Sequence, residues 1–233
     1  MTNKMPRILL ILAGPPGTGK TYMANQIKNL DTTWRLLSYD DIKEAYFDKL
    51  GFRNLEEKRN LGLRSWEEYY QKLENHLQKG EKIIIDYPFS YKQEPILNNL
   101  ITKYKYKPIT ITLFGDMEIL FERQRSRDLK DNRHVGHILK SYNKSNHNVE
   151  PDDIDNFETF KRRCEERAYD DFAIGENIKV DVTDYGEIDL ASIRDWIYRN
   201  CYTKKSLVNK IFQILISVQH IFLRYKLKFK NLI

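Results

Sequence analysis

The sequence predicts an α/β protein: an open three-layer α/β/α domain on a five-stranded parallel sheet, followed by a basic helical tail. Three observations predict it. Short apolar runs alternate with helical stretches over residues 8–198, the pattern of buried parallel strands joined by crossovers. A glycine-rich turn joins the first run to the first helix. The formal charge of +6 is confined to one end: residues 201–233 carry seven basic side chains and no acidic one, leaving 32 basic and 33 acidic in the first 200. A hydrophobic fraction of 41% beside 31% charged residues fits a soluble globular chain.

The elements follow in order. Ile8–Ala13 is wholly apolar, too short to span a membrane, and reads as the first strand. Residues 22–30 place Met23, Ile27 and Leu30 on one helical face. Trp34–Ser38 is the second strand. A helix is expected over 41–49, broken by Gly51-Phe52-Arg53-Asn54. The next helix is expected over 65–78, with Ser65 as N-cap, Glu68 completing a capping box, and Gly80 as the stop. Lys82–Asp86 is the third strand, ended by Pro88. Residues 108–114 and 178–182 are the fourth and fifth strands, with helices expected over 117–127, 152–168 and 189–198. The polar stretch 128–151 is too long for a plain connection and is expected to be a functional loop.

The turn Gly14-Pro15-Pro16-Gly17-Thr18-Gly19-Lys20-Thr21 fits G-x-x-x-x-G-K-[ST], the phosphate-binding P-loop. Strand, glycine-rich turn and helix in that order aim backbone N–H groups and a helix N-terminus at one point, which binds a polyphosphate. Lys20, expected to face solvent, supplies a charge for the phosphates, and the Thr21 hydroxyl is a ligand for Mg²⁺. Ligands of open parallel sheets sit beyond the carboxyl ends of the strands. There the second strand delivers Asp40 and Asp41, and the third delivers Asp86. Asp40 is the candidate base for an acceptor hydroxyl, Asp86 the candidate for the Mg²⁺ shell, directly or through water, and Asp41 is expected to serve the helix N-terminus. Arg123 and Arg127, one helical turn apart, are candidate lid arginines over about 121–151. Arg133, His134 and His137 are candidate substrate contacts. The two histidines lack a third ligand for zinc. Cys164 and Cys201 have no metal or redox spacing. With no signal peptide or spanning helix expected, the cytoplasm is the expected compartment.

The pattern resembles the P-loop kinases that include polynucleotide 5′-kinases and zeta-toxin-like and small-molecule kinases. The matching pieces are residues 14–21, Leu37-Ser38-Tyr39-Asp40-Asp41-Ile42-Lys43, Ile84-Ile85-Asp86, the stretch from Glu122-Arg123 to Arg127, and Val180-Asp181-Val182-Thr183. The resemblance implies a strand order of 2-3-1-4-5. It implies that Asp40 orients the acceptor, that Arg123 and Arg127 are the lid pair, that Thr183 lies in the loop flanking the adenine, and that Lys43 stands where the family has a substrate-binding arginine. The expected activity is transfer of the γ-phosphoryl of Mg-ATP to a small-molecule hydroxyl by a domain spanning residues 1–200. A nucleic-acid 5′-end kinase is less favoured because the body is neutral. An ATP-driven switch is disfavoured because Tyr87, not Glu, follows Asp86. The tail, 201–233, has an apolar face expected to pack on the parent domain, a partner subunit or an anionic membrane surface.

Overall fold

The computed structural model describes residues 7–130, 133–145 and 150–201. The chain divides into two compact units, Met1–Ile188 and Asp189–Ile233. The first unit holds β1 (Ile8–Ala13), α1 (Lys20–Leu30), β2 (Trp34–Ser38), α2 (Tyr39–Leu50), α3 (Leu55–Lys79), β3 (Lys82–Asp86), α4 (Glu94–Tyr104), β4 (Lys107–Phe114), α5 (Met117–Asp128), α6 (Phe157–Arg167) and β5 (Glu176–Asp181). In the second unit the described helix is α7 (Leu190–Cys201). The expected tail beyond it, 202–233, lies outside the described residues. Among the described residues no helix is long and apolar enough to cross a membrane.

The sheet is five-stranded and all-parallel, as the sequence predicted, in the order β2-β3-β1-β4-β5 that the resemblance implied. β1 is central, and each of its residues is buried. Successive side chains of a strand point to opposite faces. Leu9, Ile11 and Ala13 of β1, with Ile83 and Ile85 of β3, join Tyr69, Leu73 and Leu77 of α3 and Leu97 and Ile101 of α4 in one core. The register pairs Leu12 with Asp86 and Ser38 with Asp86, so β1, β3 and β2 end level at one edge. That edge carries the P-loop, Asp86 and the start of α2.

Three elements differ from expectation. α6, expected from residue 152, begins only at Phe157, where the Asn156 side chain caps it by accepting from the Thr159 N–H at 2.9 Å. α3 begins ten residues before Ser65. Its N-cap is Asn54, whose side chain accepts from the Glu57 N–H at 2.9 Å. Ser65 lies buried inside the helix and donates to the Leu61 carbonyl at 2.7 Å. The buried stripe Leu61–Ser65–Tyr69–Leu73–Leu77 runs at i, i+4 spacing straight through it and overrides the local capping signal. α4 was not anticipated, although a parallel crossover from β3 to β4 needs such an element. Pro95 in its first turn marks a helix start, not a break. Asn54→Ala is expected to lower stability by about 1 kcal/mol, read as a shifted denaturant midpoint at unchanged m. An unshifted midpoint would mean that the cap is not what holds this helix start.

Candidate active site

The loop after β1 is shaped by close approaches that only glycine permits. Gly14 has φ +123°, and a Cβ there would lie 2.0 Å from the Leu113 carbonyl oxygen. Gly19 has φ +75°, and a Cβ would fall 1.4 Å from the Tyr185 hydroxyl. The Thr18 hydroxyl closes the turn by donating to the Pro15 carbonyl at 2.8 Å. Lys20 opens α1. Contrary to expectation it is buried, with its ammonium donating to the carbonyls of Gly14 (2.9 Å) and Pro15 (2.7 Å). Burial pulls its pKa down to about 7 against the raising influence of Asp86, and Arg127 lowers it further.

The Thr21 hydroxyl donates to Oδ2 of Asp86 at 2.6 Å, joining the first turn of α1 to the end of β3. Asp86 is buried, and its Oδ1 accepts no hydrogen bond among the described residues. Desolvation raises its pKa, with Asp40 and Asp41 adding to the rise and Thr21 and Lys20 opposing it. A hydroxyl and a buried carboxylate with an unpaired oxygen suit a hard cation that keeps most of its water, as Mg²⁺ does.

Asp40 lies in the first turn of α2, two residues past the end of β2. Desolvation pushes its carboxyl up, but His137, Arg133, Lys43 and Arg127 together hold it below the ordinary carboxylate range. Its Oδ2 accepts from Arg133 at 3.2 Å, and its side chain is 40% exposed. The N-cap position of α2 belongs to Ser38, while Asp41 sits in the first turn.

The remaining expected residues divide into two groups. Arg133 bridges Asp40, Glu44 (3.3 Å) and Asp128 (3.5 Å). His137 Nε2 donates to Glu44 at 2.7 Å, and His134 Nε2 donates to Asp48 at 3.0 Å. Tyr142 and Lys144 bond Asp48 too, so the described stretch 133–145 is fastened along α2. Both histidines spend their Nε2 on this fastening. Arg123 turns the other way. It donates to the carbonyls of Val182 and Thr183 and lies over the Tyr185 ring, 4.7 Å from its centroid. The Thr183 hydroxyl accepts from the Asp116 N–H at 2.9 Å. Arg127 pairs with Asp128 at 2.8 Å and is about half exposed. The two arginines expected to form a lid therefore separate: Arg123 supports the loop after β5, while the charge of Arg127 lowers the pKa of both Lys20 and Asp40. Sequence reasoning missed Tyr185, whose hydroxyl donates to the Thr18 carbonyl, and Glu44, the shared partner of Arg133 and His137. Neither belongs to a motif; only the fold brings them in.

Comparison with known proteins agrees with this geometry. The family model described as AAA domain (AAA_33) matches residues 9–147, more than half of the chain. A presumed kinase of Chloroflexus aurantiacus J-10-fl is 28% identical over 85% of this chain and all of its own, with a TM-score of 0.64. A gluconokinase of Sinorhizobium meliloti 1021 is 14% identical over 88% of this chain and 95% of its own, at a TM-score of 0.46. A structure of a Pnkp1/Rnl/Hen1 complex is 21% identical over 57% of this chain and 44% of its own, at 0.41. Neither of these last two likenesses bears on the substrate of this chain. No curated protein sequence matches it. With its glycine-rich loop after a central strand, the Thr21–Asp86 pair and the 2-3-1-4-5 sheet, the chain belongs to the AAA domain family, in the P-loop kinase group.

Proposed function

We propose that the protein is an ATP-dependent phosphotransferase that moves the γ-phosphoryl of Mg-ATP to a hydroxyl of a small molecule. The observation that carries this reading is the presence of two carboxylates with different surroundings at one sheet edge. Asp86 is buried and bonded to Thr21, while Asp40 is kept ionised on α2 with its side chain accessible. Residues 14–21 cradle the phosphates and Lys20 charges them. Thr21 and Asp86 would hold Mg²⁺, which offsets charge on the phosphoryl oxygens. Asp40 orients the acceptor hydroxyl and takes its proton. The acceptor oxygen forms the new bond to the γ-phosphorus, the bond to the β–γ bridging oxygen breaks, and ADP leaves with that electron pair. Arg127 stabilises the transferred group. Where a hydrolase would place a water-activating acid, Tyr87 is packed against Tyr39, Trp66 and Phe89. Cys164 and Cys201 are both buried, and their spacing fits neither a metal nor a redox site, which suits the reducing cytoplasm.

ADP release with Mg-ATP, screened over small-molecule pools, tests this reading. An acceptor that raises turnover far above the hydrolysis background is expected. Saturable ATP binding with no acceptor in any pool would favour a switch or ATPase.

Lys20 adds a pH signature. The unfolded chain keeps this proton up to about pH 10.5, whereas burial releases it near 7, so the contribution of Lys20 to stability rises with pH between those values. A bound polyphosphate restores the charge. Binding of Mg-ATP at pH 8.5 is therefore expected to take up close to one proton, read as a binding heat that varies with the ionisation enthalpy of the buffer. A buffer-independent heat would contradict it.

A further inference from the structure

A cleft of about 400 Å³ lies between α2 and α3, beside the proposed base. Tyr39 and Lys43, which flank Asp40 on α2, both line it. Its floor is aromatic: Tyr39 and Trp66 stack at 4.2 Å. Leu55 and Leu63 form an exposed apolar rim. Three cations line it and no acid does. Lys58 is already satisfied by Asp153 at 2.7 Å and by the carbonyls of His137 and Leu139. Neither Lys43 nor Arg59 forms a direct ion pair with a carboxylate among the described residues; Lys43 overlies the Phe47 ring and feels the charge of Asp40. Its neighbour Gly62 sits mid-helix, where glycine is unfavourable. A Cβ there would meet only the Tyr39 hydroxyl, at an ordinary 3.4 Å. No close packing within the chain requires a glycine at this point, whereas a molecule entering the cleft would use the space.

We infer that this cleft is the acceptor site, and that the acceptor is a small hydroxyl compound carrying an oxyanion, phosphate or carboxylate, on a planar or apolar body. The inference rests on the phosphotransferase reading above. The body lies along Tyr39, Trp66 and the leucines. The oxyanion is held by Lys43 and by the planar guanidinium of Arg59, which supplies from α3 the two-pronged grip that a lysine lacks. The hydroxyl then reaches Asp40. A neutral polyol would need carboxylate or amide side chains, and none lines this cleft.

The test uses the full chain saturated with Mg²⁺ and a non-hydrolysable ATP analogue, so that the P-loop cannot capture the probe. Calorimetric titrations compare phenyl phosphate, benzoate and phenol. Phenyl phosphate and benzoate are expected to bind at least about tenfold tighter than phenol. Arg59→Gln and Lys43→Gln are each expected to remove most of that preference while leaving phenol and the analogue unchanged. Gly62→Ala is expected to raise Tm by about 2–4 °C while weakening all three probes. Anions that bind no tighter than phenol, or an Arg59→Gln variant that keeps the preference, would overturn the inference. So would a Gly62→Ala variant with unaltered probe binding. Analogue binding without anion preference sinks this inference alone; failure of the analogue itself to bind sinks the phosphotransferase reading and this inference with it.

Discussion

Asp40→Asn is expected to lower kcat by about 10²–10⁴-fold, the usual contribution of a positioned base, while ATP affinity stays within about twofold. The split follows from position. Asp40 stands on α2, whereas Lys20, Thr21 and Asp86, the proposed nucleotide side, lie at the start of α1 and the end of β3. Asparagine keeps the shape and still accepts from Arg133, so the fastening of 133–145 to α2 survives through Glu44 and Asp48. Steady-state kinetics beside nucleotide titrations reads this directly. Equal small losses in kcat and ATP affinity would remove Asp40 from the acceptor role. Asp86→Asn should instead raise the Mg²⁺ concentration needed for half-maximal rate.

Lys20→Ala is expected to lower kcat by about 10²–10³-fold, the usual loss when one preorganised charge at the reacting group is removed. Its burial makes the stability result informative. The native fold lowers the Lys20 pKa to about 7, so at pH 6 the group is still protonated and its buried charge costs stability relative to the unfolded chain. Removing it should leave the unliganded Tm at pH 6 unchanged or higher. A large drop in Tm would show that the ammonium's bonds to Gly14 and Pro15 hold the loop together, and the kinetic loss would then reflect a damaged loop.

The sheet was legible because buried parallel strands are nearly continuous apolar runs, and Ile8–Ala13 and Lys82–Asp86 fall where those runs do. The P-loop was legible because its chemistry is local: eight consecutive residues contain the turn, the charge and the hydroxyl. The start of α3 was not, since Ser65 and Glu68 form a locally sound cap that the long-range burial of Leu61 and Tyr69 defeats. The burial of Lys20 was hidden for the same reason. A P-loop lysine reads as solvent-facing chemistry until the fold packs around it. Arg123 and Arg127 share a helix face by spacing. Which of them meets the loop after β5 depends on where Tyr185 and the Thr183 carbonyl fall in space, and no one-dimensional pattern carries that.

The most direct test of the central claim follows the fate of the γ-phosphoryl group in water enriched in oxygen-18, with Mg-ATP and an acceptor identified by its ADP release. Phosphoryl transfer to an organic hydroxyl predicts a phosphate ester without the heavy isotope, formed in step with ADP and lost in Asp40→Asn. Inorganic phosphate carrying one oxygen-18 for every ADP, with no ester formed, would contradict it.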